Sequence, residues 1–126
     1  MDRQESFSFS NIRTFIGAKD YKKSISFYET IGWEIVKISD KMSLVKVDDT
    51  HAFYLQKYYV RKWVENSMVF LEVDDVDSCY AYFHSLNLPT KFPGVKLSDI
   101  TPFEWGREIF LHDPSGVLWH LCEFNK

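Results

Sequence analysis

The chain has 126 residues, of which 45% are hydrophobic and 26% charged, and its formal net charge is −3. That balance suits a single soluble globular domain, residues 1–126, and excludes wholesale disorder and collagen. No apolar run approaches the roughly 18 residues of a membrane-crossing helix, and the acidic balance disfavours nucleic acid as a partner.

Taken in order, residues 12–20 form a short apolar strand run that ends at Asp20. After it, Tyr21, Ser24-Ile25, Tyr28 and Ile31 recur at helical spacing. Asp20 stands where an N-cap belongs, and Gly32 suits the left-handed residue that ends a helix. Three strands follow, Trp33–Ser39, Met42–Asp48 and Ala52–Tyr58, with turns at Ser39-Asp40-Lys41 and Asp48-Asp49-Thr50. Residues 59–66 read as a short connector.

The pattern then repeats without a gap. Residues 67–75 are a second strand run ending at Asp75, and Val76, Cys79-Tyr80, Phe83 and Leu86 recur at helical spacing. Asn87 stands where Gly32 stood, and Pro89 closes the second helix. Thr90–Pro93 is expected as a strand, and a Pro/Gly/Ser-bearing loop runs through Gly94, Ser98 and Pro102. The last two strands are Arg107–His112 and Val117–Phe124, joined by the turn Asp113-Pro114-Ser115-Gly116. Each half is therefore strand, helix, then three strands. A ferredoxin-like sandwich is the alternative for such a mixture.

The polar start lacks the apolar core of a secretory signal. Cys79 and Cys122 form no CxxC pair and no disulfide framework, so both are expected as free thiols in a cytoplasm. Aromatic residues reach 17%. A small core absorbs most of them, and an aromatic-walled pocket is the sharper reading.

The order "AKDYKKSISFYETIGWEIV", "FLEVDDVDSCYAYFHSLNLP" and "WGREIFLHDPSGVLWHL" resembles the vicinal oxygen chelate superfamily, the glyoxalase, bleomycin-resistance and extradiol-dioxygenase group. The aromatic-Gly-Arg followed by Asp-Pro-x-Gly is its most specific part. The resemblance implies an α+β fold of two βαβββ modules, about 11–58 and 67–125, forming a curled mixed sheet around a cavity. It also implies a homodimer whose partner completes the pocket.

Catalytic members hold a divalent metal with His, Gln or Glu on the cavity faces of the strands, leaving positions open for two substrate oxygens. The resemblance places those markers at Arg13, Met68 and His120, with Tyr54 the best match for a fourth and Gln56 a two-residue slip away. Arg13 has no lone pair to offer, Met68 is a soft ligand, and one imidazole does not make a site. No cofactor is therefore expected. A rebuilt site would have to draw on Glu72, Glu104, His112 and His120, and would take Mn, Fe, Ni or Zn. Cys122 shares strand parity with His120 but lies too far along the strand for a direct Cys–His pair, so it reads as a buried structural thiol.

Parity places Arg13, Phe15, Tyr54, Gln56, Met68, Phe70, Glu72 and His120 toward the cavity. Trp105, beside Gly106, is a pocket-wall candidate, and Trp119 faces the helices. A buried Arg13 needs a partner: either Glu72 in an internal ion pair or a ligand anion held by its planar fork. The leading reading is a metal-free protein that binds or sequesters a small anionic or aromatic compound. One alternative is a metal-dependent lyase, isomerase or dioxygenase with a rearranged site. Another is a non-catalytic structural or regulatory dimer with a filled cavity.

Overall fold

The computed structural model describes residues 7–126. Strand β1 (Phe15–Gly17) leads into helix α1 (Tyr21–Ile31), whose first turn is capped by the Asp20 carboxylate accepting from the Lys23 amide at 3.1 Å. Such a cap contributes about 1 kcal/mol. Gly32 ends the helix at φ +106°, a conformation side chains resist. Strands β2 (Glu34–Ser39), β3 (Met42–Lys46) and β4 (Ala52–Gln56) complete the first sheet in the order β1-β4-β3-β2, with β1 parallel to β4. The turn before β4 is held by Asp48, whose Oδ1 accepts from the amides of Thr50 and His51 at 2.9 and 2.7 Å.

The second half repeats the plan. Strand β5 (Met68–Glu72) precedes helix α3 (Val76–Ser85), capped by Asp75. Strands β8 (Gly106–His112) and β9 (Leu118–Phe124) follow, and β5 lies parallel to β9 as β1 does to β4. The second sheet runs β5-β9-β8-β6, where β6 is Lys96–Leu97; β7 (Thr101–Phe103) also pairs with β8. The chain is thus α+β, with two open mixed sheets.

Three local expectations are corrected. Thr90–Pro93 is no strand: residues Leu88–Lys91 form the short helix α4, and Pro89 opens it instead of closing α3. Proline suits a first helical turn, and the one-turn spacing lets Leu88 and Phe92 both enter the core. The expected loop after Gly94 contains β6 and β7, two strands too short to carry an alternating pattern. The connector contains helix α2 (Arg61–Glu65), where Val64 is buried.

Both sheets bury one face in a common core. Ile16, Val45, Phe53 and Leu55 come from the first; Ile109, Leu111, Trp119 and Leu121 come from the second. Phe27, Tyr28 and Ile31 of α1 and Val76 and Phe83 of α3 fill it. Tyr28 stacks on Trp33 at 5.7 Å and meets Phe53 and Trp119 edge-on. Side chains of this size each contribute about 1.5–3 kcal/mol on burial. Strand alternation then turns the opposite face of each sheet away from the core.

Candidate functional site

On the outward face of the second sheet, Phe70 of β5, His120 of β9 and Phe110 of β8 lie side by side in register. The next row is Glu72, Cys122 and Glu108. His120 is stacked against Phe70 at 6.0 Å and flanked edge-on by Phe110 at 5.3 Å. Phe124 stacks on Phe70 at 5.5 Å. The end of β7 and the turn into β8 add Phe103 and Trp105, whose rings are parallel at 4.7 Å. Phe70, Trp105 and Phe124 remain exposed by 48%, 48% and 41%, so they form an open aromatic surface rather than a core.

Glu108 lies under this surface, 3% exposed, and both its oxygens are used. Oε1 is 2.9 Å from His120 Nδ1, and Oε2 accepts from the Trp105 indole N–H at 2.8 Å. A carboxylate accepts, so Nδ1 donates to it, and Nε2 is the ring nitrogen left for a ligand. Glu108 thereby fixes the orientation of an imidazole and an indole together. Gly106 lets the turn approach β9 closely, since a Cβ there would run into the Glu123 carbonyl. Asn125 clamps the same turn, donating to the carbonyls of Glu104 and Trp105 at 2.7 and 2.8 Å.

The outward face of the first sheet carries a second patch. Phe15 pairs in register with Tyr54 and stacks on it at 5.1 Å; Gly17 pairs with Gln56. Arg13 donates from Nη1 to the Tyr54 hydroxyl at 3.1 Å, with its guanidinium carbon 5.6 Å from the ring centroid. The internal ion pair with Glu72 is not formed: Arg13 meets Tyr54, and Glu72 lies on the other sheet. Among the described residues, no hydrogen bond, ion pair or ring contact joins the two patches. The reason is geometric. Both sheets turn their other faces into one core, so Arg13, Phe15, Tyr54 and Gln56 form one group, and Met68, Phe70, Glu72, Trp105 and His120 form another.

The donor set does not fit the divalent metal that the resemblance implies for catalytic members. Arg13 offers no lone pair and Met68 is a thioether, so His120 stands alone among those three markers. Among the described residues no three His, Cys, Asp or Glu side chains converge. His112 sits at the end of β8, where burial first and Lys96 second lower its pKa. His51 and His84 are exposed. Cys122 is buried, and burial with Glu108 nearby pushes its thiol up, away from nucleophilic use. Trp119 is buried against the helices and donates its indole N–H to the Tyr28 hydroxyl at 3.1 Å.

Glu108, Phe103, Phe110 and Phe124 are the site residues that sequence reasoning missed. Alternation in "GREIFLH" puts Glu108 on the same face as Phe110, and a lone acid in an apolar strand is the available signal.

No protein-family profile and no curated protein matches the sequence. The likeness is three-dimensional. A bleomycin-binding protein from Streptomyces verticillus complexed with copper(II)-bleomycin superposes with a TM-score of 0.76 at 19% identity, covering 94% of this chain and 98% of that one. This chain has the glyoxalase/bleomycin-resistance fold. An antibiotic-binding protein from a Streptomyces strain gives 0.71 at 20% identity, with 94% and 99% covered. A lactoylglutathione lyase from Agrobacterium tumefaciens gives 0.65 at 16% identity, with 92% and 95% covered. The fold thus carries both binding proteins and an enzyme, and only the site chemistry separates them.

Proposed function

We propose that the chain binds a small, largely aromatic molecule on the outward face of its second sheet, without a metal. The observation that carries this reading is the His120–Glu108–Trp105 network beneath an exposed aromatic surface. Phe70, Phe124 and Trp105 offer faces for a flat ligand to stack on, and Nε2 of His120 is placed to share one hydrogen bond with it. The likeness to bleomycin- and antibiotic-binding proteins supports small-molecule binding. Arg13 on the first sheet supplies a charge for an anionic group.

In a two-fold dimer the first-sheet patch of one copy can face the second-sheet patch of the other, so that both copies enclose each site, and the chain acts as a homodimer in the cytoplasm. Phe15 at 55% and Met68 at 66% exposure are the contacts such a partner covers. Among the described residues no helix is long and apolar enough to cross a membrane.

Titration of the chain with bleomycin and with 2-naphthoate, followed by tryptophan fluorescence and by size in solution, tests this. A saturable change lost in Phe70→Ala and in His120→Ala, on a dimer, is expected. A stoichiometric divalent metal in protein purified without chelator, lost in His120→Ala, would overturn it in favour of the lyase or dioxygenase reading.

A further inference from the structure

A groove of about 1160 Å³ lies away from both aromatic patches, between the start of α1 and strands β2 and β3. Five lysines line it, Lys19, Lys22, Lys23, Lys37 and Lys57, on a chain whose net charge is −3. Its two acids do not balance them. Asp20 caps α1, and Asp40 is paired with Lys37 at 3.0 Å. Lys23 is tied to the Pro93 carbonyl at 3.1 Å. Among the described residues, Lys19, Lys22 and Lys57 have no carboxylate partner. Gathering like charges around a concavity is unfavourable unless an anion occupies it.

The interior has a second character. The Tyr21 hydroxyl and Ser43 Oγ are 2.7 Å apart on the floor, and either can donate. Ile25, Ile35 and Pro93 give an apolar wall. Ammonium groups are point charges on flexible stems, suited to a compact multivalent anion rather than to planar, bidentate recognition. We propose that this groove is a second ligand site, for an organic phosphate monoester whose phosphate meets Lys22 and Lys57 and whose apolar body lies on Ile25 and Ile35. The site is independent of the aromatic face.

n-Butyl phosphate and inorganic phosphate, titrated separately into the full chain and followed by amide NMR and calorimetry, test it. Butyl phosphate should bind one saturable site, with shifts at Tyr21 and Ser43, about three- to tenfold tighter than inorganic phosphate because its alkyl chain leaves water. Lys22→Gln/Lys57→Gln should weaken it about tenfold. Lys62→Gln/Lys91→Gln, at exposed positions outside the groove, and Phe70→Ala should each leave it within twofold. Circular dichroism melts establish that every variant is folded. Non-saturating shifts, shifts centred on Phe70, or full affinity in Lys22→Gln/Lys57→Gln would each overturn the proposal.

Discussion

Tyr28 donates its hydroxyl to Asp113 at 2.7 Å, inside the core, and so ties the first helix to the turn between the last two strands. Asp113 Oδ1 accepts from the amides of Ser115 and Val117 at 2.9 Å, which builds the Asp-Pro-x-Gly turn. The Trp119 indole donates to the same hydroxyl. Burial raises the pKa of Tyr28 far above the ordinary tyrosine value, and Asp113 adds to that, so the phenol stays a donor.

Tyr28→Phe should therefore cost about 1–3 kcal/mol, because a buried carboxylate loses a donor and an indole loses its acceptor. A two-state melt should fall by several degrees. The pH dependence has a defined sign. Burial holds the Asp113 carboxyl above its ordinary value of 3.8, and the Tyr28 hydrogen bond pulls it down. A raised folded value means that ionised Asp113 costs stability above that value and that the cost vanishes as pH falls toward 3.8. Removing Tyr28 raises it further, so the loss in Tyr28→Phe should be larger at neutral pH than near pH 3.8. An equal loss at both would separate the effect from Asp113.

Gly106→Ala should destabilise the chain by about 1–3 kcal/mol, the range for forced overpacking. Its Cβ would meet the Glu123 carbonyl, which the β8–β9 ladder holds in place. Urea unfolding measures this. A cost below about 0.5 kcal/mol, the usual size for a neutral surface change, would show that the turn yields.

Glu108→Gln should keep the fold and weaken ligand binding on the aromatic face. The amide nitrogen cannot accept, so either the imidazole or the indole loses its partner. Loss of one oriented hydrogen bond corresponds to about a tenfold drop in affinity. Tryptophan fluorescence titration reads it, and unchanged affinity would remove His120 orientation from the account.

At the hairpin before β4, the His51 hydrogen bond, with help from the backbone amides, holds the exposed Asp48 carboxyl at about 2 against an ordinary 3.8. A depressed value contributes stability above pH 3.8 that is lost as pH falls toward 2. In His51→Ala the Asp48 value should rise toward 3.8, as read by carboxyl NMR titration. A value unmoved from about 2 would assign the shift to the backbone amides of Thr50 and His51.

The repeated strand–helix–strand order was legible because its signals are local. Asp20, Gly32 and Asp75 act on backbone groups within a turn of themselves, and the spacing of Tyr28 and Ile31 fixes which side of α1 is buried. Alternation likewise separated Trp119 from His120, since neighbours on a strand face opposite ways. Strands β6 and β7 were illegible because two or three residues carry no period, and their pairing with β8 comes from a distant part of the chain. Parity put Arg13 and His120 toward one cavity, and it could not say that their two faces diverge across a shared core. Glu108 shows the same division. Its place beside Phe110 follows from the sequence alone, whereas its bonds to His120 and Trp105 required β8, β9 and the β7–β8 turn to be brought together. Local propensity and alternation act over a few residues; sheet order, burial and the partners of a buried charge are decided only when distant segments compete for the same core.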